Sequence, residues 1–116
     1  MRVLIADDQL RVRSALRLLL EQETDFEIVG ESADAIGILL AVAEKTPDLL
    51  LLDWELPGLP ITHLLRLLRY ECPSLKVIAM SARPEVEQPV KEAGLQAFLS
   101  KNELPERVLA VIRAHL

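Results

Sequence analysis

Residues 49–53 read Leu-Leu-Leu-Leu-Asp, and this stretch decides the fold. Four leucines in a row fit either a buried helix or a buried strand, but the run is short and lies between Pro47 and Pro57, which favours a strand. A strand that is apolar on both faces is typical of a parallel sheet covered by helices on both sides. The stretch therefore predicts an α/β domain in which a buried strand ends at Asp53.

Strand-like and helix-like segments alternate on both sides of this run. Short apolar runs at 3–6, 26–30, 77–80 and 97–100 predict four further strands. The segments after the strands carry apolar residues at helical spacing. In the first such segment these residues are Val12, Ala15, Leu16, Leu19 and Leu20. Five alternations predict a flavodoxin-like, doubly wound parallel sheet with five helices, for which the strand order 2-1-3-4-5 is expected.

The helix between the fourth and fifth strands is expected to be short or irregular. Pro84 and Pro89 both fall in this segment. Proline inside a helix costs about 3 kcal/mol, because it lacks the backbone N–H and clashes with the preceding turn. The whole chain, residues 1–116, is predicted to be one domain, since this length suffices for one core and not for two.

Composition narrows the classes of partner. The formal net charge is −5 and no run of Lys and Arg occurs, so direct contact with nucleic acid is not expected. No apolar run approaches the roughly 18 residues of a membrane span, and the first residues do not resemble a secretory signal. The single cysteine, Cys72, is typical of a reducing cytosol. We therefore expect a cytoplasmic domain without a membrane partner.

Polar residues follow four of the five predicted strands. Asp7 and Asp8 follow the first strand, Asp53 ends the third, Ser81 follows the fourth and Lys101 follows the fifth. In the order 2-1-3-4-5 these four strands are neighbours, so their carboxyl ends share one edge of the sheet. Each residue alone has a plainer reading as a helix cap, a turn residue or a solvated side chain. Together they predict a shallow acidic cleft.

Such a cleft suits phosphoryl transfer. Carboxylates held close together repel one another, and a hard divalent cation removes the repulsion. Mg²⁺ fits because it accepts one or two carboxylates and leaves positions for phosphate oxygens. Lys101 can neutralise an anionic oxygen and Ser81 can donate a hydrogen bond to a second one. Charge neutralisation and positioning are what phosphoryl transfer chiefly needs.

The same segments resemble the receiver domain of two-component response regulators, and the resemblance spans the whole chain. Residues 3–9 are similar to the acidic-pair segment of that family, and residues 49–57 to its phosphoacceptor segment. Residues 78–82 and 93–101 are similar to its switch-hydroxyl and lysine segments. The beginning of the chain is most similar to receivers that precede a LuxR/NarL-type helix-turn-helix output domain.

The resemblance implies a role for each matching residue. Asp53 would take a phosphoryl group from the phosphohistidine of a histidine kinase or a phosphotransfer protein. Lys101 would pair with this group, and Ser81 would move to hydrogen-bond to it. Phe98 would then turn inward and change the surface of helix 4, strand 5 and helix 5. The domain would assist only its own phosphorylation and dephosphorylation, so it would be a signalling domain and not an enzyme.

The resemblance also implies a magnesium site. Asp8 and Asp53 would bind Mg²⁺ through their carboxylates, Asp7 through water and Glu55 through its backbone carbonyl. We further expect Glu55 and Arg83 to face each other across the mouth of the cleft. The output, most simply transcription, would be controlled through a C-terminal helix-turn-helix domain in a longer parent chain.

Two alternatives stay open. Pro60-Ile61 stands where the family usually has an acidic residue and glycine, and with the prolines of the fourth helix this fits a degenerate receiver that acts as an unphosphorylated interaction module. A Mg²⁺-dependent phosphohydrolase built on residues 53–55 is the other alternative. It would need a further general acid or base and a substrate cap, for which this chain has little room.

Self-association is expected through the first and last helices. Leu10 and Leu18 on the first helix, with Leu109 and Leu116 on the last, lie off the inward apolar stripes. Because these two helices should be adjacent, the four leucines predict one apolar patch. We expect this patch to support a weak homodimer or the docking of an output domain.

Overall fold

One parallel sheet of five strands forms the centre of the molecule in the computed structural model, which describes residues 1–95 and 97–116. The strands are β1 (Arg2–Ala6), β2 (Glu27–Ser32), β3 (Leu49–Asp53), β4 (Lys76–Ser81) and β5 (Phe98–Ser100). Their order is β2-β1-β3-β4-β5, and all four pairings are parallel. The expected doubly wound, flavodoxin-like sheet is confirmed.

Five α-helices flank the sheet in the part of the chain that the structure describes. They are α1 (Leu10–Glu21), α2 (Ala35–Lys45), α3 (Ile61–Glu71), α4 (Glu87–Glu92) and α5 (Pro105–Ala114). Side-chain capping explains where α2 begins. The Asp34 side chain accepts a hydrogen bond from the backbone N–H of Gly37 at 2.7 Å, which caps the start of α2.

The fourth helix is short and irregular, as the prolines predicted. A 3-10 turn over Pro84–Val86 comes first, and only six residues of α-helix follow it. Pro84 begins the turn and Pro89 lies in the first turn of α4. At both positions the backbone N–H has no partner within the helix, so its absence costs little. The prolines thus delay the helix without breaking it.

The core consists of two layers, one on each face of the sheet. Alternate residues of β1 and β3 point to opposite faces, and none of residues 3–6 or 49–52 has any exposed surface. Helices α1 and α5 cover one face and α2 and α3 cover the other. Each fully buried leucine contributes about 1.5–3 kcal/mol relative to an exposed one. These two strands are therefore the most firmly held part of the sheet.

A smaller cluster lies where α4 covers the sheet. Its buried members are Ala79, Val86 and Val90, and the partly buried side chains around it are Trp54, Leu95 and Phe98. Two of the three buried residues are valines and the third is alanine, so little apolar area is removed from water here. The packing of α4 is accordingly weaker than that of the other helices.

The predicted leucine patch is only partly present. Leu10, Leu18 and Leu116 are 64%, 65% and 41% exposed. Leu109 is instead partly buried against the core, because it borders the inward stripe of α5 that contains Val108 and Ile112. The expectation for Leu109 was therefore wrong. Among the described helices, none combines the length and the apolar character needed to cross a membrane.

Candidate functional site

The carboxyl ends of β1, β3, β4 and β5 bring the predicted polar residues to one edge of the sheet. Asp7 and Ser81 have no exposed surface, and Asp53 is 2% exposed. Asp8 is exposed at the mouth of the cleft. Carboxylate oxygens of Asp7, Asp8 and Asp53 all lie within 4.8 Å of one another. The three acids therefore form one cluster, open to solvent on the side of Asp8.

Lys101 joins this cluster from the end of β5. Its Nζ lies 2.6 Å from Asp7 Oδ2 and 3.2 Å from Asp53 Oδ1. Its backbone N–H donates to the carbonyl of Ser81 at 3.0 Å, which ties the lysine to the end of β4. The ammonium group thus lies between two nearly buried carboxylates, and it balances part of their charge.

Burial and neighbouring charges shift two pKa values in the cluster. Burial raises the pKa of Asp53 and the charge of Asp7 adds to this effect, while the backbone N–H of Glu55 and the ammonium of Lys101 oppose it. Burial lowers the pKa of Lys101, but the close contact with the Asp7 carboxylate and the attraction of Asp53 outweigh burial, so the net pKa is raised. Lys101 therefore remains a cation, and the excess negative charge stays with the acids.

In both carboxylates Oδ1 accepts a backbone N–H, and the two differ in which oxygen contacts Lys101. Asp53 Oδ1 accepts the backbone N–H of Glu55 at 3.0 Å, in addition to its contact with Lys101. Asp7 Oδ1 accepts the backbone N–H of Gln9 at 2.9 Å. Within the described residues, Asp7 Oδ2 is buried and makes no hydrogen bond of acceptable geometry, even though Lys101 Nζ is close to it. The cluster therefore contains a buried oxygen whose close neighbour is the ammonium group of Lys101.

These residues fit a magnesium ion. Three carboxylates converge, one of them contributes a buried oxygen without a hydrogen bond, and all the donors are hard oxygens. Mg²⁺ prefers this donor set and retains water at its remaining positions. An ion at this place would also offset the charge of Asp7, which adds to burial in raising the pKa of Asp53.

The side chain of Glu55 makes a contact that the sequence did not predict. Its Oε1 accepts a hydrogen bond from the hydroxyl of Ser81 at 2.8 Å, and Ser81 Oγ itself accepts the backbone N–H of Arg83 at 3.0 Å. The guanidinium of Arg83 instead approaches Glu85, at 4.0 Å. Glu55 and Arg83, which we expected to face each other across the cleft mouth, do not form an ion pair with each other: the Glu55 carboxylate accepts from the Ser81 hydroxyl instead.

A second unpredicted contact joins Arg13 to the backbone of Asp7, the first residue of the pair Asp7-Asp8. Arg13 on α1 donates to the backbone carbonyl of Asp7 at 2.7 Å and pairs with Glu31 on β2 at 3.0 Å. Glu31 also pairs with Arg17 at 2.7 Å. This network holds the first turn of α1 against the end of β1, and it needs a tertiary contact that no local spacing reveals.

Phe98 begins β5, three residues before Lys101, and packs on the side of the sheet that α4 covers. It pairs with Ala79 across β4 and β5, two residues before Ser81 along β4. Its ring is partly buried against the α4 cluster, together with Trp54, the residue that follows Asp53. Both aromatic side chains thus rest on the small cluster that also carries α4.

A family model described as the response regulator receiver domain matches residues 3–113. The transcriptional regulatory protein LiaR of Bacillus subtilis (strain 168) is 33% identical over 116 residues, which cover 97% of this chain and 54% of LiaR. The chain spans about half the length of the curated relatives that it matches. The sequence similarity therefore covers nearly all of this chain but only part of each relative.

Solved structures give the same similarity in three dimensions. A two-component response regulator of the LuxR family from Aurantimonas sp. SI85-9A1 has a TM-score of 0.86 at 26% identity, over 97% of this chain and 82% of that one. RcsB from Salmonella enterica serovar Typhimurium, solved bound to the promoter rprA in the presence of the phosphomimetic BeF3−, has a TM-score of 0.87 at 25% identity. That match covers 98% of this chain and 60% of the RcsB chain.

Proposed function

Because the chain belongs to the family of response regulator receiver domains, which are signalling domains and not catalytic enzymes, we propose that it accepts a phosphoryl group on Asp53. The donor would be the phosphohistidine of a histidine kinase or of a phosphotransfer protein. The observation that carries this proposal is the position of Asp53: a carboxylate only 2% exposed, in one cluster with Asp7 and Asp8 and in contact with Lys101.

The reaction is a direct transfer. An oxygen of Asp53 attacks phosphorus, the bond between phosphorus and the histidine nitrogen breaks, and the electron pair stays on the imidazole. Asp53 Oδ1 already holds the Glu55 N–H and Lys101, which favours Oδ2 as the attacking oxygen. Lys101 Nζ, now between two carboxylates, would turn one hydrogen bond to an oxygen of the incoming group.

The magnesium requirement follows from the acids. Asp8 and Asp53 would hold Mg²⁺ through carboxylate oxygens, Asp7 through water and Glu55 through its backbone carbonyl. The bound ion supplies charge neutralisation for the phosphoryl oxygens. Asp7 also keeps Lys101 in place, since its Oδ2 lies 2.6 Å from the ammonium group.

The conformational response would start at Ser81 and reach the surface through Phe98. An aspartyl phosphate adds a charge of about −1.5 to −2, which would attract the hydroxyl of Ser81. Phe98 and α4 share one small cluster, so a movement at the end of β4 can change both. The surface of α4, β5 and α5 would then control an output, which we expect to be transcription.

Partners are inferred from the relatives. LiaR is named a transcriptional regulatory protein and is nearly twice as long as the matched region. We therefore expect a C-terminal helix-turn-helix output domain in a longer parent chain, which would act in the cytoplasm. The receiver domain itself would make no direct contact with nucleic acid.

We also expect a weak homodimer through α1 and α5, where Leu10 and Leu18 are exposed beside a groove of about 550 Å³. Sedimentation showing only monomer at high concentration would contradict the dimer.

Acetyl phosphate tests the phosphorylation proposal. In the presence of Mg²⁺, intact mass should show one added phosphoryl group on the wild type and on the control D48N, which lies at the opposite edge of the sheet. D53N should remain unmodified, and a chelator should abolish the addition to the wild type. An unmodified wild type in Mg²⁺ would support the degenerate receiver instead. Multiple turnover on an aryl phosphate would support a phosphohydrolase.

A further inference from the structure

The hydroxyl of Ser81 is fully engaged before any phosphoryl group arrives. It donates to Glu55 Oε1 at 2.8 Å and accepts from the backbone N–H of Arg83 at 3.0 Å. A serine hydroxyl has a single proton to donate. Ser81 therefore has no donor left for an oxygen on Asp53 while its bond to Glu55 persists.

We propose that the Glu55 carboxylate is a positioning residue that holds the Ser81 hydroxyl away from Asp53 and thereby weakens the affinity of the site for a phosphoryl-type anion. The proposal rests on the proposed function of Asp53. The hydrogen bond joins a hydroxyl to a carboxylate, so it is of the charge-assisted kind, roughly twice as strong as a neutral one. Ser81 has no exposed surface in this arrangement and Glu55 is itself exposed, so the hydrogen bond is shielded from water on the serine side.

Glu55 is placed for this role by its own backbone. Its N–H donates to Asp53 Oδ1 at 3.0 Å, while its side chain reaches the end of β4. One residue thus contacts the phosphoacceptor and the switch hydroxyl. A phosphoryl group on Asp53 would place new negative charge beside the Glu55 carboxylate, and like charges repel. The same event would offer Ser81 a second acceptor, so the hydrogen bond to Glu55 would break as the new one forms.

Two effects of Glu55 must be separated, because its charge alone also disfavours an anion. A double-mutant cycle with Ser81 separates them, since removing the hydroxyl abolishes the hydrogen bond and leaves the charge. The backbone carbonyl of Glu55 is unchanged in every variant. The matched control is E85A, which removes a nearby exposed acid that contacts Arg83 and not Ser81.

The measurement is the affinity for beryllium fluoride at saturating Mg²⁺, followed by calorimetry and by the fluorescence of Trp54, the single tryptophan. E55A should bind about tenfold more tightly than the wild type, the factor expected when a competing hydrogen bond to a charged group is lost. In the S81A background the E55A substitution should raise the affinity for beryllium fluoride only about two- to threefold, because only the charge of Glu55 is then removed. E55Q should lie between the wild type and E55A, and E85A should change affinity less than about twofold.

Equal effects of E55A in the two backgrounds would overturn the proposal, since only the charge of Glu55 would then matter. A weaker affinity of E55A than of the wild type would overturn it as well. If the wild type fails to bind beryllium fluoride in Mg²⁺, the proposed function fails, and the role of Glu55 fails with it. Binding by the wild type with equal E55A effects leaves the proposed function intact and removes only the role of Glu55.

Discussion

The site has two regions that differ in how tightly they are packed: an acidic half, formed by Asp7, Asp8 and Asp53, and a hydroxyl half, formed by Ser81 and Phe98. Asp7, Asp8 and Asp53 follow β1 and β3, whose residues 3–6 and 49–52 have no exposed surface on either face. Ser81 and Phe98 belong to β4 and β5, where the α4 side is covered by a cluster of only three buried residues. The residues proposed to take part in phosphoryl transfer thus follow the two most completely buried strands. The residues proposed to move lie beside the smallest apolar cluster.

This difference suits a switch. A phosphoryl site needs oxygens held at fixed distances, because a small displacement of charge is costly in rate. A two-state element needs the reverse, since only a free-energy gap of a few kcal/mol can be shifted by a local charge event. The short α4, its 3-10 turn and the small apolar cluster beneath them fit such an element, because little buried area must be repacked. The prolines that shorten α4 are therefore compatible with signalling.

The largest expected effect contrasts one core substitution from each half. Leu51→Ala in β3 should lower the free energy of unfolding by about 2–5 kcal/mol, because a fully buried leucine leaves a cavity between two packed layers. Val90→Ala in α4 should cost about 1–2 kcal/mol, since less apolar area is lost. Chemical denaturation measures both. The exposed Leu10→Ala is the control, expected within about 0.5 kcal/mol. An equal or larger loss for V90A would mean that the halves do not differ in firmness.

Magnesium should stabilise the acidic half. At free Mg²⁺ ten times its dissociation constant, the wild type should gain about 1.4 kcal/mol of unfolding free energy, because the ion binds the folded cluster alone. Asp8→Asn should lose most of this gain, whereas D48N should keep it. Thermal unfolding with and without Mg²⁺ measures the difference. If D8N and the wild type are stabilised equally, the ion does not bind at this cluster.

The raised pKa of Asp53 predicts that ionisation of this carboxylate lowers the free energy of unfolding as pH rises. Burial is the main cause of the shift, so folding disfavours the ionised carboxylate. The stability that this group contributes is present at low pH and is lost as pH rises from the ordinary 3.8 through the raised pKa. D53N removes that loss, so its stability relative to the wild type should increase as pH rises through this range.

Glu31 provides a control of opposite sign. Burial raises its pKa, but the hydrogen bonds from Arg17 and Arg13 outweigh this effect, so the net pKa is lowered. Its contribution is therefore present above the ordinary value of 4.5 and is lost as pH falls through the lowered pKa. E31Q should be less stable than the wild type at neutral pH, and the two should converge in acid. Urea denaturation across this pH range tests both variants, and an advantage of D53N that shrinks as pH rises would contradict the assignment.

Much of the fold and the acidic cluster could be predicted from sequence. The buried leucine run, the alternation of strands and helices and the polar residues at the strand ends are local patterns, and the expected order places those residues at one edge. The short α4 was predictable for the same reason, because proline acts on its own turn. What these patterns share is that each depends on near neighbours in the chain.

The remaining contacts depend on tertiary geometry. Glu55 lies in the turn after β3 and Ser81 ends β4, 26 residues later, so no spacing in the sequence joins them. Arg13 binds the backbone carbonyl of Asp7, an acceptor that every residue carries and no motif marks. Leu109 was expected to be exposed because it lies off the apolar stripe, but it borders the stripe closely enough to pack against the core. Such contacts are decided by side-chain reach and competition between acceptors.

Amide hydrogen exchange with and without beryllium fluoride, in saturating Mg²⁺, is the most direct test of this division. It shows whether the acidic half binds the anion without changing and the hydroxyl half changes in response. We expect altered exchange in residues 83–95 and in β5, with the central residues of β1 and β3 equally protected in both states. Bound beryllium fluoride with unchanged exchange in residues 83–95, or with larger changes in β1 and β3 than there, would contradict this division of roles.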